Sequence, residues 1–340
     1  MISSQNQRRS SSGWDPKQSE RRRSSIKALA KPSVQQRPSK PEGPNIPADK
    51  IKMIISDVDG TLFDDDHGVH PRVIDCFKWL RANKPEIPIL PVTGKQLVSI
   101  NDMRIECDLL DMPVGACHGA IIYNPDGTVQ SQQKINKNTV LSVVDMMMKH
   151  NKTCMLYEHD KVHCVSLEER PDKDFFEISK GFDPSISDKR GTDFLEKVDK
   201  EEVVICKIFC PMEETVIEDF MTLLLHEPRF PRDSFKLTRA LPYIIELCPP
   251  GVDKAVALAH FCKVYGIAPE NTITFGDGEN DVGMFKASGF SCSMGNAMKA
   301  PRENCTHRTL TNNEGGVGVF LDSIFRPDYQ PPKDQTSAIE

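Results

Sequence analysis

No run of about 18 consecutive apolar residues occurs in this chain, so a transmembrane helix is not expected. Its first residues hold no apolar core behind a basic start, so a secretory leader is not expected either. None of the eleven cysteines forms a Cys-x-x-Cys pair, which speaks against a structural zinc site. Most lie in apolar runs, as Cys206, Cys210 and Cys292 do, and are expected to be reduced and buried. Aromatic residues are sparse at 7%, beside 38% apolar and 27% charged residues. That balance excludes a collagen, a coiled coil, a mostly disordered chain and a disulfide-dense miniprotein. A length of 340 residues predicts two or three domains.

The net charge of −6 conceals a division. Residues 1–50 hold eleven Lys or Arg against four Asp or Glu, a net of +7, so the other 290 carry −13. The same stretch is rich in Ser, Pro and Gln and poor in large apolar side chains. It cannot bury enough surface to offset its ordering entropy, so residues 1–48 are expected to be a disordered basic tail. Residues 329–340 are expected to be a second flexible tail. Arg8-Arg9-Ser10-Ser11 and Arg22-Arg23-Ser24-Ser25 both read Arg-Arg-x-Ser, which resembles a basophilic kinase site. A protein kinase acting at Ser11 or Ser25 is therefore one partner reading, and phosphorylation would add about −1.5 to −2 charges at each. A solvated tail without a role, a mitochondrial leader and a nucleic-acid arm compete with it. Asp15 and Glu20 count against the leader. The expected compartment is the cytoplasm, with neither membrane nor nucleic acid as a partner.

Order is expected to begin near Ile51. Residues 51–56 form a short apolar run that ends in a polar loop, like a buried parallel strand. Pro71 opens a helix with Val73, Phe77 and Leu80 on one face, and residues 87–92 read as the next strand. Strand, helix, strand predicts a parallel sheet with crossover helices. The middle of the chain changes rhythm. Helices are predicted over 138–151, with Val140, Val144 and Met147 on one stripe, and over 214–227, with Val216, Phe220 and Leu223. Strands are predicted at 154–157, 161–165, 203–209, 235–238 and 243–247. Met146 to Met148 read as core. The parallel rhythm then returns. A helix over 253–265 carries Ala257, Phe261 and Val264 and stops at Gly266. Strands follow at 272–275 and 290–294, with a helix beginning at Asn280 between them. The first and last parts thus form one sheet domain interrupted by an insert.

Ligands bind at the carboxyl ends of strands in such sheets, and four places there carry distinctive residues. Asp57-Val58-Asp59-Gly60-Thr61 follows the first strand. Two carboxylates so close need a cation or a proton between them, and Mg²⁺, which prefers oxygen ligands and works with phosphate, suits that role. One carboxylate is able to attack phosphorus and the other to shuttle a proton; a polar turn with a capping Asp is the competing reading. Thr93-Gly94 offers a hydroxyl and an amide to phosphate oxygens. Lys254 opens a helix and is able to neutralise phosphate and nucleophile together. Gly276-Asp277-Gly278-Glu279-Asn280-Asp281 lets backbone approach a ligand closely and places two carboxylates one turn apart. A calcium EF-hand loop is excluded, because apolar Val282 to Phe285 stand where further ligands would be needed.

Asp-Val-Asp-Gly-Thr, then Thr-Gly, then Lys, then Gly-Asp-Gly-x-Asn-Asp resembles the haloacid dehalogenase superfamily of phosphohydrolases. The insert resembles the large cap of its Cof-type, class IIB branch. Ala116 to Ala120, Met294-Gly295-Asn296-Ala297 and Asn313 to Val317 resemble further segments of that branch, and the likeness spans about residues 51–325. It implies an α/β fold: a Rossmann-like three-layer core with a parallel sheet, plus an inserted α+β cap of the C2B type. The core would span 49–133 and 248–328, and the cap 134–247. It implies Asp57 as nucleophile and Mg²⁺ ligand, and Asp59 as general acid and base with its backbone carbonyl on the metal. It implies Thr93, Gly94, Lys254 and Asn280 as phosphate-binding, with Asp277 and Asp281 completing the metal site.

The expected activity is Mg²⁺-dependent hydrolysis of a small phosphorylated metabolite, a sugar phosphate or nucleotide, through an aspartyl-phosphate. A phosphomutase of the phosphomannomutase type and a non-catalytic binding module on the same fold are the alternatives. His118 stands where the branch has Asn and reads as a solvated loop histidine ahead of a substrate contact. Glu158, His159, Asp160 and Arg190 in the cap carry no assignment from spacing.

Overall fold

The structure, a computed structural model, describes residues 46–165, 183, 186–190, 192, 194–231, 233–241 and 243–330. Ser11 and Ser25, the side chain of Arg190 and residues 331–340 lie outside the described residues. In chain order the first elements are β1 (Met53–Ser56), α1 (Pro71–Asn83), β2 (Ile89–Pro91) and α2 (Asn101–Glu106). Three short strands follow: β3 (Val114–Ala116), β4 (Ile121–Tyr123) and β5 (Val129–Gln132). The insert holds α3 (Lys137–Lys149), β6 (Cys154–Tyr157), β7 (Val162–Val165), β8 (Ile186–Arg190), α4 (Leu195–Asp199), β9 (Lys207–Pro211), α5 (Glu214–His226), β10 (Lys236–Leu241) and β11 (Ile244–Cys248). The last stretch is α6 (Lys254–Tyr265), β12 (Thr272–Gly276), α7 (Val282–Ala287), β13 (Phe290–Ser293), α8 (Lys299–Asn304), β14 (His307–Arg308) and α9 (Gly316–Phe325).

The expected parallel sheet is present, in the order β14-β13-β12-β1-β2. All four residues of β1 are buried, because both faces of the sheet are covered. Ile54 points into a core shared with Val73, Phe77 and Leu80 of α1 and Phe320 and Leu321 of α9. Met53 and Ile55 point the other way, onto Ala257, Leu258 and Phe261 of α6 and Met284 of α7. This period of two across β1 makes the three layers, helix, sheet and helix. Half-buried Arg326, just past the end of α9, ties that helix to α1 through Asp75 at 2.8 Å.

A second sheet runs β10-β11-β9-β6-β7-β8, antiparallel except for the β7–β8 pair. Cys154 and Leu156 of β6 face α3 and α5, while Met155 and Tyr157 face the antiparallel trio β3-β4-β5. The cap sheet therefore packs helices on one side and core on the other.

Several details depart from the sequence reading. Strands β4 and β5 and helix α2 carry no signal in the sequence, since each is only three to six residues long and shows no clear period. Helix α5 buries Ile217, Phe220 and Leu224, one position round from the predicted stripe, and leaves Leu223 36% exposed. In α6, Leu258 and Cys262 take the place of Val264, which lies at the surface. Order also starts earlier than Ile51: Ile46 is buried and Ala48 packs against the same core. The cysteines are free; ten are buried and Cys305 is partly so.

Candidate active site

Three strand ends of the parallel sheet meet at one place. β1 runs out into Asp57, β2 into Thr93, and β12 into Asp277. Asp253 caps α6 by accepting the Ala255 N–H at 2.9 Å, which makes Lys254 the first helical residue. The Lys254 side chain is wholly buried, with Nζ 2.5 Å from Asp57 Oδ1 and 2.6 Å from Asp281 Oδ1. The other oxygen of Asp281 accepts the backbone N–H groups of Asp277 and Gly278, both at 2.8 Å. Thr61 Oγ1 sits 3.5 Å from both Asp57 Oδ2 and Asp277 Oδ1. Gly60 has φ +70°, and a Cβ there would fall 2.3 Å from Asp277 Oδ2. Only glycine allows both the turn and that approach.

Carboxylate oxygens of Asp57, Asp277 and Asp281 lie within 4.8 Å of one another. Burial, then the Asp281 charge, pushes Asp57 well above the ordinary carboxylate range, although Lys254 opposes this. The same two causes raise Asp277 to about 7. Burial works against the Lys254 ammonium, but Asp281 and Asp57 outweigh it and its pKa rises. Three carboxylates against one ammonium leave an excess of negative charge on oxygen donors. That donor set fits a hard divalent cation held by Asp57, Asp277 and Asp281.

Asp59 stands apart from this cluster. Its carboxylate is 41% exposed and pairs with Lys95 at 2.6 Å. Its other oxygen is 3.5 Å from Thr93 Oγ1. Thr93 is buried, and its hydroxyl accepts the Lys95 N–H at 3.0 Å. Asn280 Nδ2 donates to His118 Nδ1 at 3.3 Å. His118 is not a solvated loop residue: it is 7% exposed, and Nε2 meets Glu246 Oε2 at 2.8 Å. The sequence held no cue to this, because the partner lies on a cap strand 128 residues away.

Sequence reasoning also assigned no role to Lys95, Asn296, Lys207 or Glu246. Asn296 Nδ2 donates to the Gly60 carbonyl at 2.8 Å and reaches Asp277 Oδ2 at 3.3 Å. It lay within a noted segment, but without a role. Lys207 and Glu246 left a signal, a lone charge inside each apolar strand, Cys-Lys-Ile-Phe-Cys and Ile-Ile-Glu-Leu-Cys. Of the cap residues, Glu158 and His159 lie where the β6–β7 turn touches the core, their carbonyls accepting from Gln96 and from the Tyr123 hydroxyl.

A family model described as haloacid dehalogenase-like hydrolase matches residues 54–321. An uncharacterised hydrolase of Schizosaccharomyces pombe is 32% identical over 301 residues, covering 85% of this chain and 96% of its own. The 5-amino-6-(5-phospho-D-ribitylamino)uracil phosphatase YwtE of Bacillus subtilis is 23% identical over 295 residues, 82% of this chain and 100% of its own. The crystal structure of a haloacid dehalogenase-like hydrolase from Bacteroides thetaiotaomicron shares the fold, with a TM-score of 0.69 at 22% identity over 81% of this chain and 100% of that one. Among the described residues no helix is long and apolar enough to cross a membrane. The chain belongs to the haloacid dehalogenase-like hydrolases, in their Cof-type phosphatase branch.

Proposed function

We propose that the protein is a Mg²⁺-dependent phosphatase acting on a small phosphorylated metabolite, a sugar phosphate or nucleotide, through an aspartyl-phosphate. One observation carries the reading: buried Asp57 sits 2.5 Å from buried Lys254 and within 4.8 Å of two further carboxylates. The Bacillus relative, whose substrate is a phosphorylated ribityl-uracil, supports the substrate class.

Phosphoryl transfer asks mainly for positioning and electrostatics, since its transition state is loose and spreads charge over the equatorial oxygens. Asp57 attacks phosphorus in line, and the bond to the leaving oxygen breaks. Lys254 and the Thr93 hydroxyl hold phosphoryl oxygens, with Gly94 and Asn280 beside them. Asp57, Asp277 and Asp281 would hold Mg²⁺, which would supply further positive charge to those oxygens. Asp59 gives a proton to the leaving oxygen from Oδ2, the oxygen that Lys95 does not occupy. It then takes a proton from water, which attacks the same phosphorus, releases phosphate and restores Asp57. The cap shields the intermediate from water between the two steps.

The test is phosphate release from a panel of phosphorylated metabolites, with Mg²⁺ and with EDTA. Turnover that needs the metal and prefers a few compounds is expected. Asp57→Asn is expected to lower turnover roughly a thousandfold or more. Substantial activity in that variant would overturn the assignment. Absence of turnover in the unmodified chain would move weight to the phosphomutase, assayed next with a bisphosphate activator.

A further inference from the structure

Two charged side chains are buried on the core-facing side of the cap sheet. Lys207 in β9 is 2% exposed and Glu246 in β11 is 5% exposed. They pair at 3.0 Å, and the ammonium lies 4.0 Å from the centre of the Tyr157 ring. Burial opposes the Glu246 charge, yet Lys207 and His118 hold its carboxyl well below the usual range. A buried ion pair is poor value as packing, because apolar residues of the same size fill such a site at least as well. Its hydrogen bonds into the core suggest another use, since Lys207 reaches the Gly94 carbonyl and Glu246 reaches His118, which covers Gly94.

Lys207 Nζ donates to the Gly94 carbonyl at 2.6 Å. That carbonyl shares its peptide with the Lys95 N–H, which donates to Thr93 Oγ1 at 3.0 Å. A cation on the carbonyl polarises the peptide and strengthens its N–H as a donor. With that lone pair of Oγ1 engaged, the Thr93 hydroxyl proton is left for the site, on the side where Asp59 Oδ2 lies. Glu246 holds Lys207 with one oxygen and His118 Nε2 with the other. The His118 ring in turn covers Gly94, where a Cβ would come within 2.6 Å of Cε1. Its far nitrogen accepts from Asn280.

We propose that Lys207, held by Glu246, is a positioning residue that aims the Thr93 hydroxyl at a phosphoryl oxygen. The cap thereby sets the geometry of the phosphate cradle as well as covering it. This rests on the phosphatase reading and adds to it a relay across the cap–core contact.

A double-mutant cycle tests it. Lys207→Met and Glu246→Gln are each made alone and with Thr93→Val. Two quantities are read: affinity for inorganic phosphate by calorimetry in Mg²⁺, and kcat and KM on p-nitrophenyl phosphate. Each cap variant is expected to weaken phosphate binding about tenfold when Thr93 is intact. The loss is expected to fall below about twofold in the Thr93→Val background, because the group acted upon is gone. Lys207→Arg is expected to recover most of the loss. Equal losses in both backgrounds, no effect of Thr93→Val itself, or failure of both cap variants to fold would each overturn the relay. Coupled losses in phosphate binding, in a chain that hydrolyses no monoester, would leave the relay standing and remove the phosphatase reading. Full activity in both cap variants would do the reverse.

Discussion

Asp57, Asp277 and Asp281 crowd three acids around one lysine, and their electrostatics set two predictions at the scale of single residues. In EDTA, Asp57→Asn is expected to melt no lower than the unmodified chain, since it removes one of three like charges while Lys254 keeps Asp281. Thermal melts check this, and a large drop would mean that Asp57 supports the fold. Added Mg²⁺ is expected to raise the melting temperature, with stabilisation of about 2.7 kcal/mol at a hundredfold excess over Kd. Asp277→Asn is expected to abolish most of that shift. Glu246 supplies a pH dependence of known sign. Its folded pKa lies below its unfolded one, so its stabilisation is complete above the unfolded value of about 4.3 and is lost as pH falls below it. Urea melts across that range are expected to show Glu246→Gln losing its deficit as pH drops. The acids, Thr93 and Lys254 were legible because each follows a strand or opens a helix in a short motif. Lys95 was not legible, because its ion pair with Asp59 depends on how two loops fold together.

Helices and strands were legible in proportion to their length. Val73, Phe77 and Leu80 of α1 are all buried, as their spacing predicts. In α5 nearly every position is apolar from Phe220 to Leu225, so periodicity alone cannot choose the buried face. The structure chooses Leu224, fully buried, over Leu223. Leu224→Ala is accordingly expected to cost about 2–5 kcal/mol in a denaturant melt, and Leu223→Ala about 0.5 kcal/mol or less. Equal costs would put the helix in the wrong rotation. The strand predicted over 203–209 begins at Lys207 instead. The preceding apolar residues make only single backbone bonds, Cys206 N–H to the Tyr157 carbonyl at 2.8 Å and Ile135 N–H to the Ile205 carbonyl at 2.9 Å, and a backbone ladder leaves no mark of its own on composition.

The molecule as a whole places its boundaries by burial rather than by composition. The basic character of the first fifty residues suggested a tail ending at 48, but Ile46 is already in the core. A chain beginning at Ile46 is expected to release phosphate as fast as the full chain, and one beginning at Asp49 to be less stable. Comparing kcat and melting temperature for the two truncations checks both. The same scale explains why motif order points to residues that lie together at the strand ends while contacts across the cap leave no such cue. The parallel sheet brings motifs together by a topology that many chains share, whereas the contact of Lys207 with Gly94 exists only in the folded assembly.

Strand β1 lies between β2 and β12, and Met53 pairs with Thr272. During synthesis β1 and β2 emerge early, yet the far edge of β1 has no partner until the entire cap has been made. At about 5–20 residues per second, that wait is on the order of ten to forty seconds. An apolar edge, Met-Ile-Ile-Ser, is open throughout it to other chains. The acid cluster is likewise unfinished until Asp281 leaves the ribosome, so a prematurely terminated chain releases Asp57 without Asp277 and Asp281 beside it. This strand order is therefore expected to lower yield during synthesis, through the open edge of β1, more than it lowers the stability of the finished fold.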